Sequence, residues 1–91
     1  MIQLIGVKSE CDIEIRQKFS IVSSKLEDKL KNVYKITANV LILSTCNRTE
    51  IYVDSNIQGE ELINAVFDAL GWSRELITYT FYAKVKMLLS I

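Results

Sequence analysis

Histidine and proline are absent from the 91 residues, and glycine occurs only three times. Without histidine, the side chain that most often serves as general acid–base near neutral pH is missing, and so is a Cys/His zinc-finger set. Three scattered glycines make no phosphate-cradling loop and no G-x-G-x-x-G fingerprint, so a nucleotide or hydride cofactor would have to be bound elsewhere. Two cysteines are too few for a disulfide scaffold. No apolar run approaches the roughly 20 residues of a membrane span. The start, MIQLIGVKSE, lacks the basic segment and long apolar stretch of a secretory leader. Eleven basic and eleven acidic residues cancel. That balance disfavours a domain that grips nucleic acid through overall charge, but leaves room for a local patch. With 49 % hydrophobic and 24 % charged residues, the chain is nonetheless too apolar to be disordered. A chain of this length buries roughly two thirds of its unfolded surface, enough for one core and not two.

Residues 2–7 mix apolar side chains with Gln3 and Gly6 and predict a strand, and the polar stretch 8–12 a loop. Ile15, Phe19, Val22, Leu26 and Leu30 are spaced 4, 3, 4 and 4, the stripe of one helix, with acids at its start and lysines at its end. Residues 36–44 contain Val40-Leu41-Ile42-Leu43, which suits a strand buried on both faces. Residues 50–54 alternate and predict a strand paired to it as a hairpin across 45–49. A turn over 55–59 leads into a second helix that buries Leu62, Ile63, Val66, Phe67 and Leu70 and stops at Gly71. Residues 76–82, LITYTFY, alternate as a last strand. The order βαββαβ then predicts an α+β fold of ferredoxin-like split βαβ type. Its four-stranded antiparallel sheet would have both helices on one face and the spatial order fourth, first, third, second. The domain is expected over 1–82. The stretch 83–91 ends in Met87-Leu88-Leu89-Ser90-Ile91 and is expected to lead towards a downstream region. Without that region it should self-associate or fray.

The chemically informative run is Leu43 to Tyr52, LSTCNRTEIY. Cys46 lies two residues from Arg48 among small polar side chains. A thiol becomes a strong nucleophile once ionised, and a neighbouring guanidinium favours the thiolate. Thr45, Asn47 and backbone N–H groups could donate to a developing oxyanion, and Arg48 can hold a carboxylate bidentately. The competing reading is a polar turn whose cysteine packs as a small apolar residue. The spacing does not fit a Cys-x5-Arg phosphate loop.

The same run resembles the signature of glutamyl-tRNA reductase, the first enzyme of five-carbon tetrapyrrole synthesis. Leu4-Ile5-Gly6 and Ile13-Glu14-Ile15-Arg16 resemble the flanks of that family's other N-terminal motif. Between them, Lys8-Ser9-Glu10-Cys11-Asp12 replaces the usual Asn-His-Lys-Thr-Ala-Pro type of string. The resemblance covers the N-terminal catalytic domain and implies a cytoplasmic, NADPH-dependent, homodimeric enzyme acting on glutamyl-tRNA. Cys46 would attack the glutamyl ester to form a thioester, which is reduced to glutamate-1-semialdehyde. Thr45, Asn47 and Arg48 would surround the glutamyl group, with Ser44 and Glu50 in support. It further implies that a histidine, the NADPH domain and the dimerisation helices lie downstream, so this chain alone binds no cofactor and cannot complete the reduction. The rival is a non-catalytic ferredoxin-like binding module.

The remaining candidates have plainer readings. Two strand spacings, about 10 Å, separate the loops of Cys11 and Cys46, beyond disulfide reach, which leaves Cys11 as a free loop thiol. Lys18, Lys25 and Lys29 read as a solvated helix face. Tyr79, Phe81 and Tyr82 read as sheet packing, and Trp72 as a lid on the core. Glu50 either orients Arg48 or stands as an exposed strand carboxylate.

Overall fold

The computed structural model describes residues 1–37, 39–45 and 48–85. Four strands, β1 (Ile2–Val7), β2 (Asn39–Ser44), β3 (Thr49–Asp54) and β4 (Thr80–Val85), form one antiparallel sheet in the order β2-β3-β1-β4. That is the expected order, met from the opposite edge. Three helices connect them: α1 (Ile13–Lys18), α2 (Ser23–Tyr34) and α3 (Gly59–Leu70), with a 3-10 helix at Arg74–Tyr79 leading into β4. The fold is α+β of the ferredoxin-like split βαβ kind.

Register decides which side chains share a face. Ile42, Ile51, Ile5 and Tyr82 lie in one row across the four strands, and Val40, Val53 and Gln3 in the next. This face meets the helices. Phe19, Phe67 and Trp72 close the core with three edge-to-face ring contacts at centroid distances of 6.1, 5.0 and 5.3 Å. Trp72 is buried, as a core lid should be. It is aimed by the helix end: Gly71 takes φ +73°, Gly71 N–H donates to the Asp68 carbonyl and Trp72 N–H to that of Phe67. That reversal suits glycine and turns the next residue back onto the helix.

Among the described residues the buried polar side chains are Gln3 and Thr49, and each group of the Gln3 amide has a partner. Its amide donates to the carbonyls of Ser55 and Ile57, while Oε1 accepts from the Tyr82 hydroxyl at 2.5 Å and from Gly59 N–H. The amide thus ties the β3–α3 connection to the two strands beside it.

Four expectations are corrected. The single helix through Val22 is two helices. After Lys18 the chain turns Phe19 fully inward, runs Ser20-Ile21-Val22 outside either helix, and leaves Val22 exposed. Serine and β-branched residues favour helix weakly, and Ile21 N–H instead donates to Ser44 Oγ. Strand β2 begins at Asn39 and is an edge strand, with Leu41 54 % and Leu43 44 % exposed, so it is buried on one face only. Residues 76–79 are 3-10 helix, and the last strand runs 80–85, past the boundary drawn at 82. Alternation alone could not separate these states, because the 3-10 turn also turns Leu76 and Ile77 towards the core. Finally, Lys29 is not simply solvated: its Nζ donates to the Leu70 carbonyl at 2.7 Å, while Lys18 and Lys25 are exposed. The tail expectation beyond Val85 lies outside the described residues.

Candidate functional site

The β2–β3 hairpin carries the polar signature. Ser44 pairs with Thr49 as the last rung of the ladder, and both sit on the core side. Ser44 Oγ accepts from Ile21 N–H and lies 3.5 Å from Thr49 Oγ1. Beyond that rung, Thr45 N–H donates to the Arg48 carbonyl at 2.7 Å, and Arg48 N–H donates to Thr45 Oγ1 at 3.1 Å. Thr45 thus spends its backbone donor and its hydroxyl on fixing where Arg48 leaves the loop. Cys46 and Asn47 lie outside the described residues.

Period-two alternation sends Arg48, Glu50 and Tyr52 to the face of the sheet opposite the helices. Arg48 is exposed, and its Nε lies 3.5 Å from Glu50 Oε1. The Glu50 side chain is only 13 % exposed, and its second oxygen accepts from the Tyr52 hydroxyl at 3.5 Å. Glu50 is therefore a shielded carboxylate in contact with Arg48, not an exposed one. It faces the guanidinium at Nε. Such a guanidinium can grip a second, incoming carboxylate.

Register extends this site across the sheet. Leu43, Glu50, Gly6 and Phe81 form one row. The Phe81 ring lies over Gly6, where an added Cβ would come within 2.5 Å of it. Phe81 is 40 % exposed on this open face, whereas Tyr82 packs inward, so the last strand's aromatics divide between the two sides. Sequence reasoning missed Tyr52 and the Gly6–Phe81 pair. Tyr52 was findable, since it stands two residues after Glu50 on one strand face. The other pair needs the register.

Cys11 is a half-buried free thiol whose Sγ lies 3.7 Å from the Tyr79 carbonyl oxygen. Among the described residues, no three His, Cys, Asp or Glu side chains gather as a metal site, and no helix is long and apolar enough to cross a membrane.

Residues 5–88 match the family described as the N-terminal domain of glutamyl-tRNAGlu reductase. A glutamyl-tRNA reductase of Clostridium kluyveri is 62 % identical over 86 residues, which cover 94 % of this chain and 22 % of that protein. Those of Clostridium acetobutylicum and Caldicellulosiruptor saccharolyticus are 39 % and 40 % identical, over 92 % and 94 % of this chain and 21 % of each relative. The chain spans about a fifth of the length of the curated relatives it matches.

Proposed function

The chain belongs to the glutamyl-tRNA reductase N-terminal domain family, and from that premise we propose that it is the thiol-bearing module on which the glutamyl group is captured. The Cys46 thiolate attacks the carbonyl carbon of the glutamyl ester. The bond to the ribose oxygen breaks, that oxygen takes a proton, and a glutamyl thioester remains on sulfur. Asn47 would donate to the oxyanion that forms on the way, while Thr45, whose N–H and hydroxyl bond Arg48, fixes the loop. Arg48 holds the side-chain carboxylate of the glutamyl group, and Glu50 is a positioning residue that holds Arg48. Ser44 anchors the strand end. Such a module suits a cytoplasmic enzyme that works as a homodimer.

The observation that carries this reading is the shielded Glu50 carboxylate beside Arg48, on a hairpin whose loop contains the cysteine. A structural turn has no need of a guanidinium held by a carboxylate at 13 % exposure. NADPH would supply the hydride that releases glutamate-1-semialdehyde. The sequence contains no G-x-G-x-x-G loop, so that cofactor is assigned to the remaining four-fifths of the longer relatives.

The test is acyl transfer without reduction. Glutamyl-tRNA incubated with this chain should leave a glutamyl adduct on Cys46, detected by peptide mass spectrometry, and Cys46→Ser should remove it. Arg48→Ala should slow adduct formation by roughly thirtyfold, the equivalent of about 2 kcal/mol for a hydrogen bond to a charged group. Glu50→Gln should slow it less. No adduct, or one on Cys11 instead, would leave only the non-catalytic binding module.

A further inference from the structure

We infer that Tyr52 is a positioning residue of the Arg48–Glu50 site. Its hydroxyl holds the Glu50 carboxylate against Arg48, and the line of three makes the site selective for an acidic aminoacyl group. The inference rests on the acyl-capture reading for its substrate, and on the geometry of one strand face for its mechanism.

Residues 48, 50 and 52 follow one another on the same face at about 6.8 Å per step. The two carboxylate oxygens of Glu50 are divided between its neighbours along the chain. Oε1 lies 3.5 Å from Arg48 Nε, and Oε2 accepts from the Tyr52 hydroxyl at 3.5 Å. Across the sheet Glu50 meets no polar side chain. Its partners in register are Leu43 on β2 and Gly6 on β1, and the Phe81 ring lies over Gly6. Among the described residues, Arg48 and Tyr52 are thus the polar partners of a carboxylate that is only 13 % exposed. A carboxylate withdrawn that far from water needs its oxygens satisfied.

Tyr52 is suited to be a fixed donor. Its register partners are Leu41 on β2 and Leu4 on β1, and neither side chain can hydrogen-bond. Among the described residues, Glu50 is the one hydrogen-bond partner of its hydroxyl. Two torsions place a tyrosine ring, so little freedom is lost in holding it. Phenylalanine would fill the same place between the leucines. What the oxygen adds is therefore the bond to Glu50.

Order then passes along the strand. Tyr52 fixes one oxygen of Glu50, the other oxygen meets Arg48, and Arg48 remains 72 % exposed, where an acyl group can reach it. A guanidinium free to sample its rotamers must give them up when it binds. One already held is preorganised, and charge-assisted bidentate pairing then separates a carboxylate from its amide. A glutaminyl group has nearly the shape of a glutamyl group but lacks the charge that this pairing recognises. The contribution of the Tyr52 hydroxyl should appear as a preference between these two acyl groups and not as a general gain in rate.

Two readouts test this, one of them independent of acyl transfer. The chain has three arginines, so the NMR signal of the Arg48 Nε–H is identified by its loss in Arg48→Ala. In Tyr52→Phe the exchange of that proton with water should be about fivefold faster, the scale of one hydrogen bond. In the second readout, Cys46 adduct formation is followed with glutamyl-tRNA and with the same tRNA carrying glutamine. Tyr52→Phe should lower the ratio of the two rates about fivefold, and this effect should vanish in the Arg48→Ala background. Unchanged Arg48 exchange in Tyr52→Phe would overturn the proposal. So would an equal loss with both acyl groups, or a loss that persists without Arg48. If the wild-type chain forms no adduct while Tyr52→Phe still speeds Arg48 exchange, the positioning role stands and the acyl-capture reading falls.

Discussion

Gly6 shows how one residue can be settled by a neighbour 75 positions away. Read alone, it is a weak spot in a strand. In the fold it is the space over which Phe81 lies, with the ring 2.5 Å from where a Cβ would stand. Gly6→Ala should destabilise the domain by about 1–2 kcal/mol, the usual scale of overpacking. Phe81 is partly exposed and can swing aside, which keeps the cost modest. Denaturant melts of Gly6→Ala, Phe81→Leu and the double variant check this. The penalty of the alanine should largely vanish in the Phe81→Leu background. Of the proposed site, Cys46, Arg48 and Glu50 can be named from the sequence, because their chemistry and adjacency are local. The Tyr52 hydroxyl on Glu50 and the apolar row beside it depend on strand register.

Helix α3 illustrates an element secured by its neighbours. Its last carbonyls are closed by Gly71 and by the Lys29 ammonium, which donates to the Leu70 carbonyl across the α2–α3 contact. A cation at a helix C-terminus also meets the favourable end of the dipole. Lys29→Met should keep the aliphatic packing, lose that bond and cost about 1 kcal/mol, measured as a lowered denaturation midpoint with an unchanged slope. The 3-10 helix is tethered differently. Arg74 donates to both carboxylate oxygens of Asp68 at 3.2 and 2.6 Å, and this pairing holds the Asp68 carboxyl below its ordinary value. The unfolded chain lacks the partner and binds the proton more readily. The contribution to stability is therefore present above about pH 4 and is lost as pH falls through the folded-state value. Both groups are well exposed, so the contribution is small. The melting temperatures of the wild type and Asp68→Asn should differ at neutral pH and converge in acid.

The described residues form a two-layer domain with one core, in which the helices lie on one side of the sheet. Its hairpin signature stands at one end, and an uncovered apolar face leads away from it. On the proposed function, the 91 residues by themselves should capture a glutamyl group and go no further. Adding NADPH to the chain and glutamyl-tRNA should yield no glutamate-1-semialdehyde, with the acyl group recovered on Cys46 or as free glutamate. Formation of the semialdehyde by the purified chain would sink that division of labour.

Periodicity and motif chemistry were enough to establish the sheet order, the Gly71 stop and the polar run around Cys46. These are local properties: helical stripes, strand alternation and reactive side chains adjacent in the chain. The break between α1 and α2, the 3-10 turn before β4 and the exposed side of β2 were not open to such reading. Each depends on a partner distant in sequence. Ser44 takes the amide that a continuous helix would have used, the core draws in Leu76 and Ile77, and an apolar strand records no information about whether its second face is covered. Long-range register also joined Phe81 and Gly6 to Glu50 in one row. A pattern in one segment can state what a side chain prefers, but which neighbour satisfies it is decided when the segments pack.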